Sequence, residues 1–197
     1  MSVTLVVIAD PPLSGKTTLG KYLQKVTGIH YCDSDDLRAS AFGVLTHKEY
    51  EERWKDPERA IKLTRRDMML AYCLLHETIN LSLEAERSLI VSATYSRKTS
   101  QNFLKGIVDK HKVRLRLIVC KIHNETREKI KQRMQRDNDK DFVYGLRTTW
   151  EEYQKTTKPE YEWPNETGIF SSSEILVVDT GQMIEAYQNL AADFISA

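Results

Sequence analysis

Residues 3–18 of the chain read VTLVVIADPPLSGKTT, and this stretch decides the fold. Its first part, Val3 to Ala9, is a run of apolar and β-branched residues, which is typical of a strand buried on both faces. Asp10-Pro11-Pro12 ends that strand, because proline donates no hydrogen bond and restricts the residue before it. From Leu19 to Val26 apolar residues recur at helical spacing. The segment therefore predicts a buried strand, a stiff loop and a helix.

The loop between this strand and helix carries a phosphate-binding pattern. Ser14-Gly15-Lys16-Thr17-Thr18 matches the second half of G-x-x-x-x-G-K-[ST]. In that pattern backbone N–H groups at a helix start surround the phosphates of a nucleotide, the lysine bridges the terminal phosphates and the next hydroxyl binds Mg²⁺. We therefore predict a site for ATP and Mg²⁺, with Thr17 as the metal ligand. The predicted nucleotide-binding residues are Pro12, Leu13, Ser14, Gly15, Lys16, Thr17 and Thr18.

The first glycine of the pattern is replaced by Asp10. A carboxylate beside a triphosphate is repulsive unless it turns away, meets a cation or accepts backbone N–H groups. Pro11 and Pro12 stiffen the loop and can replace what the glycine normally supplies through its flexibility. The alternative interpretation is a helix start in a degenerate or inactive relative.

Strands and helices alternate along the chain. Continuous apolar triplets lie at Val6–Ile8, Leu89–Val91, Leu117–Val119 and Leu176–Val178, and a further short strand is predicted from Ile29 to Cys32. Such triplets are typical of strands covered on both faces, hence of a parallel α/β sheet with right-handed crossovers. Because the 197 residues are 41% hydrophobic and no repeat or linker divides them, we expect one domain over residues 1–197.

Charge and composition exclude several classes of protein. Lys and Arg number 29 against 28 Asp and Glu, so no strong positive field draws the chain to duplex DNA or an anionic membrane. No segment approaches the roughly 20 apolar residues of a membrane span. Three distant cysteines, Cys32, Cys73 and Cys120, exclude a disulfide scaffold and are expected to be reduced core thiols. We expect a cytoplasmic protein without membrane contact and without an evident obligate protein partner.

An acidic block, Asp33-Ser34-Asp35-Asp36-Leu37-Arg38, follows the second strand. The carboxyl ends of parallel strands share one sheet edge, where ligands bind, so one of these acids can face the terminal phosphate. Phosphoryl transfer to a hydroxyl needs a carboxylate that orients the acceptor and takes its proton. Arg38 can hold an anionic part of the acceptor. Alternatively Asp33 or Ser34 caps the next helix, and the other acids only complement its dipole.

Gly15-Lys16-Thr17 followed by Asp35-Asp36-Leu37-Arg38 resembles the phage-type 5′-polynucleotide kinase domain and the broader P-loop small kinases, including zeta-toxin-like and gluconate-kinase-like relatives. The resemblance implies a three-layer P-loop NTPase fold, in which helices cover both faces of a five-stranded parallel sheet of order 2-3-1-4-5. It implies that Asp35 is the general base and that Arg38 binds the acceptor. It also implies a helical lid over about residues 125–147, whose catalytic arginines would act with Lys16.

The lid arginines are Arg133 and Arg136, on a basic helix after the fourth strand. In the P-loop small kinases such arginines close over the transferring phosphate, where excluded water no longer screens their charge. The alternative interpretation of the basic helix is a solvated charged face.

The third strand ends Val91-Ser92-Ala93-Thr94, whereas the polynucleotide kinases place an aspartate before the threonine. Ala93 cannot coordinate a metal, so Thr17, the phosphates, water and either Asp33 or Asp35 would hold it. The resemblance implies an enzyme that moves the γ-phosphate of Mg·ATP to an acceptor hydroxyl, either a polynucleotide 5′-hydroxyl or a small metabolite. The alternative, favoured by the altered residues of both motifs, is a nucleotide-binding switch or weak ATPase without an acceptor.

Overall fold

Strands and helices alternate in the computed structural model, which describes residues 3–9, 12–121, 131–132, 134–135, 142–143 and 162–197. Its strands are β1 (Thr4–Ala9), β2 (His30–Asp33), β3 (Leu45–Thr46), β4 (Leu89–Ala93), β5 (Arg114–Lys121), β6 (Phe142–Val143) and β7 (Ile175–Asp179). Its α-helices in the described residues are α1 (Lys16–Thr27), α2 (Ser34–Phe42), α3 (His47–Trp54), α4 (Pro57–Glu84), α5 (Lys98–His111) and α6 (Ile184–Ser196). The predicted alternation of strand and helix is confirmed.

Five of these strands form one parallel sheet in the order β2-β4-β1-β5-β7. The predicted class is therefore confirmed, and the order among the five sheet strands is 2-3-1-4-5. The detail that differs is the presence of β3 and β6, which the sequence did not predict. They pair antiparallel as a separate two-stranded sheet and shift the numbering of the later strands.

Helices cover both faces of the parallel sheet. Leu5 and Val7 of β1 belong to a core cluster shared with α4 and α5. Val6 and Ile8, which point to the opposite side of the same strand, belong to a second cluster shared with α1 and α6. Every residue of β1 is buried, which explains why the sequence of this central strand is apolar without alternation. The two clusters give the predicted three layers.

The cysteines do not all lie in the core. Cys120 is buried in β5 and Cys32 is half-buried, whereas Cys73 is exposed on α4. The expectation of three core thiols is therefore wrong for Cys73, which lies on the solvent side of an amphipathic helix that buries Ala71 and Leu75. All three thiols are free, and burial raises the pKa of Cys32 to about 11.

None of the helices in the described part of the chain is long and apolar enough to span a bilayer.

His76 lies in an aromatic cluster between α4 and the loop after β4. Its ring stacks on Phe103 at a centroid distance of 4.6 Å and approaches the rings of Tyr72 and Tyr95. The side chain is buried, and burial lowers the pKa of His76 from 6.5 to about 4. The folded protein therefore holds this imidazole neutral at pH values at which the unfolded chain protonates it.

We expect the free energy of unfolding to fall as pH is lowered from about 6.5 to about 4, because only the unfolded state binds a proton at His76 in that range. The contribution of one such group is at most about 1.4 kcal/mol per pH unit. Urea unfolding of the wild type and of His76→Phe at several pH values measures it. The variant should have the shallower pH dependence, whereas His30→Gln, at an exposed position, should keep the wild-type slope. Equal slopes for His76→Phe and wild type would contradict the assignment.

Candidate active site at the carboxyl edge of the sheet

The phosphate loop joins β1 to α1 in a conformation that requires glycine. Gly15 precedes the first helical residue with φ 91° and ψ 9°, in the left-handed region. A Cβ at this position would lie 3.6 Å from Cβ of Thr180, which is an ordinary contact. The backbone conformation rather than lack of space therefore demands a residue without a side chain.

Ser14 connects the loop by a hydrogen bond to Thr180, the residue that follows the edge strand β7. Its carbonyl oxygen accepts a hydrogen bond from Oγ1 of Thr180 at 2.6 Å, and the N–H of Thr180 donates to the carbonyl of Lys121 at 2.8 Å. The Ser14 side chain is buried, and its Oγ has no hydrogen-bond partner among the described residues. The role of Thr180 was missed in the sequence, where Asp179-Thr180-Gly181 looks only like a cap before the last helix.

Lys16, Thr17 and Thr18 form the first turn of α1. The first N–H groups of a helix lack partners within the helix, so they and the lysine can bind phosphate oxygens together. Oγ1 of Thr17 donates a hydrogen bond to Oδ2 of Asp33 at 3.1 Å. The structure thus brings the phosphate loop and the acidic block together at one sheet edge, as the parallel topology predicted.

Asp33 is the centre of this site. Its Oδ1 accepts the N–H of Asp35 at 2.8 Å and so caps α2, which confirms the capping interpretation for this one acid. Its Oδ2 accepts hydrogen bonds from the hydroxyls of Tyr31 and Ser92, each at 2.7 Å, besides that of Thr17. The cap therefore uses only one oxygen of a buried carboxylate.

Asp35 is not the capping acid, and its side chain is exposed in the first turn of α2. Its side chain is 63% exposed, and its Oδ1 lies 3.5 Å from Nε of Arg38. Desolvation by the surrounding protein and the negative charge of Asp33 raise the pKa of Asp35, while the charges of Arg38 and Lys16 oppose this rise. A carboxylate with a raised pKa beside a lysine is suited to accept a proton.

The residues at the loop fit Mg²⁺. The Thr17 hydroxyl and the Asp33 carboxylate are hard oxygen ligands, which this ion prefers. No group of three or more His, Cys, Asp and Glu side chains in the described ranges could hold a metal by itself. Mg²⁺ commonly takes few protein ligands and completes its shell with substrate phosphates and water. Ala93, at the end of β4, adds no ligand, as its side chain predicts.

Part of the predicted site lies outside the described residues. This holds for Asp10, for Arg133 and Arg136, and for most of the lid over about residues 125–147. Their assigned roles stay predictions.

The comparisons with known proteins agree with this geometry. A family model described as "AAA domain" matches residues 5–159. No curated protein sequence matches the chain. Among solved structures, a sugar kinase from Janibacter sp. HTCC2649 has a TM-score of 0.62 at 17% identity and covers 100% of this chain and 95% of that one.

Two further structures share the fold. A shikimate kinase from Acinetobacter baumannii, in complex with shikimate, has a TM-score of 0.58 at 17% identity and covers 100% of this chain and 92% of that one. A gluconokinase from Sinorhizobium meliloti 1021 has a TM-score of 0.57 at 15% identity and covers 99% and 92%. Because the family model covers most of the chain, the protein belongs to the AAA-domain family, and its fold is that of the P-loop small kinases.

Proposed function

We propose that the protein is a P-loop kinase that transfers the γ-phosphate of ATP to an acceptor hydroxyl. The observation that carries this proposal is the meeting of two parts of the site: Thr17 of the phosphate loop contacts Asp33, and the exposed carboxylate of Asp35 lies within electrostatic range of Lys16. A nucleotide switch needs only the first part. The exposed carboxylate paired with Arg38 is what an acceptor hydroxyl requires in addition.

The described residues then have separate roles. Backbone N–H groups of residues 13–18 hold the phosphates, and Lys16 neutralises charge on the transferring group. Asp35 takes the proton of the acceptor hydroxyl while the acceptor oxygen forms a bond to the γ-phosphorus, and the bond to the β,γ-bridging oxygen breaks to leave ADP. Mg²⁺, when bound beside Thr17 and Asp33, supplies charge neutralisation at the phosphates.

The lid arginines complete the proposed machinery. Arg133 and Arg136 are proposed to close over the transferring phosphate and to stabilise its charge after water is excluded. We further propose that residues 1–197 act as one domain in the cytoplasm.

The acceptor is proposed to be a small molecule or a nucleic-acid end. The kinases named above for sugar, shikimate and gluconate support a small hydroxylated metabolite. A polynucleotide 5′-hydroxyl is the second candidate, because the acidic block has the order Asp35-Asp36-Leu37-Arg38 and the net charge of +1 permits capture of one strand end.

An acceptor panel with γ-labelled ATP tests the proposal. Purified protein and Mg²⁺ are incubated with 5′-hydroxyl oligonucleotides, nucleosides, sugars and hydroxy acids, and the label is followed by chromatography. We expect the label on one class of acceptor. Binding of ATP with label only in inorganic phosphate, or with no transfer at all, would instead support the switch or weak ATPase.

A further inference from the structure

A buried hydroxyl pair lies behind the acid that contacts the phosphate loop. The hydroxyl of Tyr31 and Oγ of Ser92 lie 2.7 Å apart, and each lies 2.7 Å from Oδ2 of Asp33. We propose that Tyr31, seated by Gly20, is a positioning residue that holds the Asp33 carboxylate in place for the metal of the nucleotide complex. This inference rests on the proposed function and assigns to that site a residue beyond its direct ligands.

The ring of Tyr31 packs against α1 at the position where Gly20 has no side chain. A Cβ at Gly20 would overlap the ring atoms Cε2 and Cζ of Tyr31, and both residues are buried. Glycine is unfavourable in a helix interior, so its presence in α1 calls for a packing reason. Gly106 of α5 lacks such a reason, since a Cβ there would meet nothing within 4 Å. The phosphate-loop helix thus keeps a glycine where the phenol ring passes beneath it.

The hydroxyl of Tyr31 is a hydrogen-bond donor to the Asp33 carboxylate. A phenol is an O–H donor at neutral pH, and the hydroxyl of Tyr31 donates to Oδ2 of Asp33 at 2.7 Å. The ring of Tyr31, confined by α1, allows the hydroxyl little freedom to leave Asp33.

The number of donors separates Thr17 from the two buried hydroxyls. Three hydroxyls reach Oδ2 of Asp33, whereas one carboxylate oxygen has two lone pairs. Thr17 is exposed, but Tyr31 and Ser92 are buried. The hydroxyl of Thr17 can therefore turn its oxygen to a cation while the other two keep Oδ2 of Asp33 oriented, and Oδ1, which accepts one N–H from Asp35, keeps a second lone pair for the cation. Such outer hydrogen bonds fix the direction of a ligand and tune the affinity for the metal.

The test measures metal dependence apart from turnover. Binding of a non-hydrolysable ATP analogue is titrated with Mg²⁺ for the wild type and for Tyr31→Phe, which keeps the ring and removes only the hydroxyl. We expect the Mg²⁺ concentration for half-maximal binding to rise by roughly tenfold in the variant, the lower end of the range for outer-shell partners. Analogue binding in the presence of a chelator should not change.

Tyr22→Phe is the matched control. Tyr22 lies on α1, and its hydroxyl donates to Oδ1 of Asn189 at 3.1 Å in an exposed position, so its loss should leave the Mg²⁺ dependence at the wild-type value. A Tyr31→Phe titration that coincides with that of Tyr22→Phe would overturn the inference. It would leave the proposed function intact, because label transfer to an acceptor is scored separately on the wild type.

A second pair of variants tests the packing of the Tyr31 ring against Gly20. Gly20→Ala should raise the Mg²⁺ requirement as Tyr31→Phe does, because the added methyl group displaces the ring, whereas Gly106→Ala should not. Competition by Mn²⁺, followed by its electron paramagnetic resonance signal with the ATP analogue, gives an independent affinity. Wild-type Mn²⁺ affinity in both Tyr31→Phe and a folded Gly20→Ala would overturn the inference. If Gly20→Ala does not fold, Tyr31→Phe alone decides.

Discussion

Replacing Asp35 by asparagine should lower kcat for the transferred label by roughly 10²- to 10⁴-fold, the usual contribution of a general base. Asparagine has nearly the same shape but cannot take the proton of the acceptor hydroxyl. The Kd for ATP should change little, because the side chain of Asp35 is exposed and forms its ion pair with Arg38. Label transfer to the acceptor found in the panel measures kcat, and equilibrium titration measures the Kd.

Asp36→Asn provides the matched control for this variant. Asp36 is the next residue of α2 and is exposed, and it carries the same charge. Its replacement should leave kcat within a few-fold of the wild type. A normal kcat in Asp35→Asn, or an equal loss in both variants, would remove Asp35 from the role of general base and return the acidic block to a helix-capping function.

Replacing Lys16 by alanine should weaken ATP binding by at least roughly 30-fold, because truncating one partner of a desolvated charge pair costs about 2–5 kcal/mol and 1.4 kcal/mol corresponds to tenfold. Lys16 begins α1 directly after the left-handed Gly15, at the place where a phosphate would meet the helix. Isothermal titration with a non-hydrolysable ATP analogue gives the affinity.

Lys25→Ala is the control for the loss of a positive charge from α1. Lys25 lies in the last turn of the same helix and is exposed, so the analogue should bind this variant with wild-type affinity. Unchanged affinity in Lys16→Ala would mean that the loop over residues 12–18 is not the nucleotide site, and the proposed function would fall with it. Thermal unfolding of both variants shows whether α1 stays folded.

The parallel sheet and the phosphate loop could be predicted because their signals are local. A strand covered on both faces needs apolar side chains at every position, as in β1. The phosphate loop needs a glycine with positive φ followed by a lysine at a helix start, and Gly15 and Lys16 are neighbours in the chain. By contrast, β3 and β6 have two residues each, which is too short for a periodicity to be read.

The second role of Asp33, its contacts with other side chains besides the helix cap, could not be predicted, because it depends on contacts between distant residues. Asp33 caps α2 through one oxygen, and its other oxygen meets Ser92, 59 residues away. Ser14 is held by Thr180 from 166 residues away. Neither motif spacing nor hydrophobic periodicity in the sequence indicates that such distant residues are in contact.

Local order along the chain was enough to specify the alternation of buried strands and amphipathic helices, the phosphate loop and the edge at which it opens, since each depends on neighbouring residues and on the topology of parallel strands. Which acid is buried and which is exposed was decided only by the tertiary structure, which buries Asp33 and leaves Asp35 exposed. Hydrogen bonding and desolvation act between side chains that folding alone brings within 3 Å, as it does for Asp33, Tyr31 and Ser92.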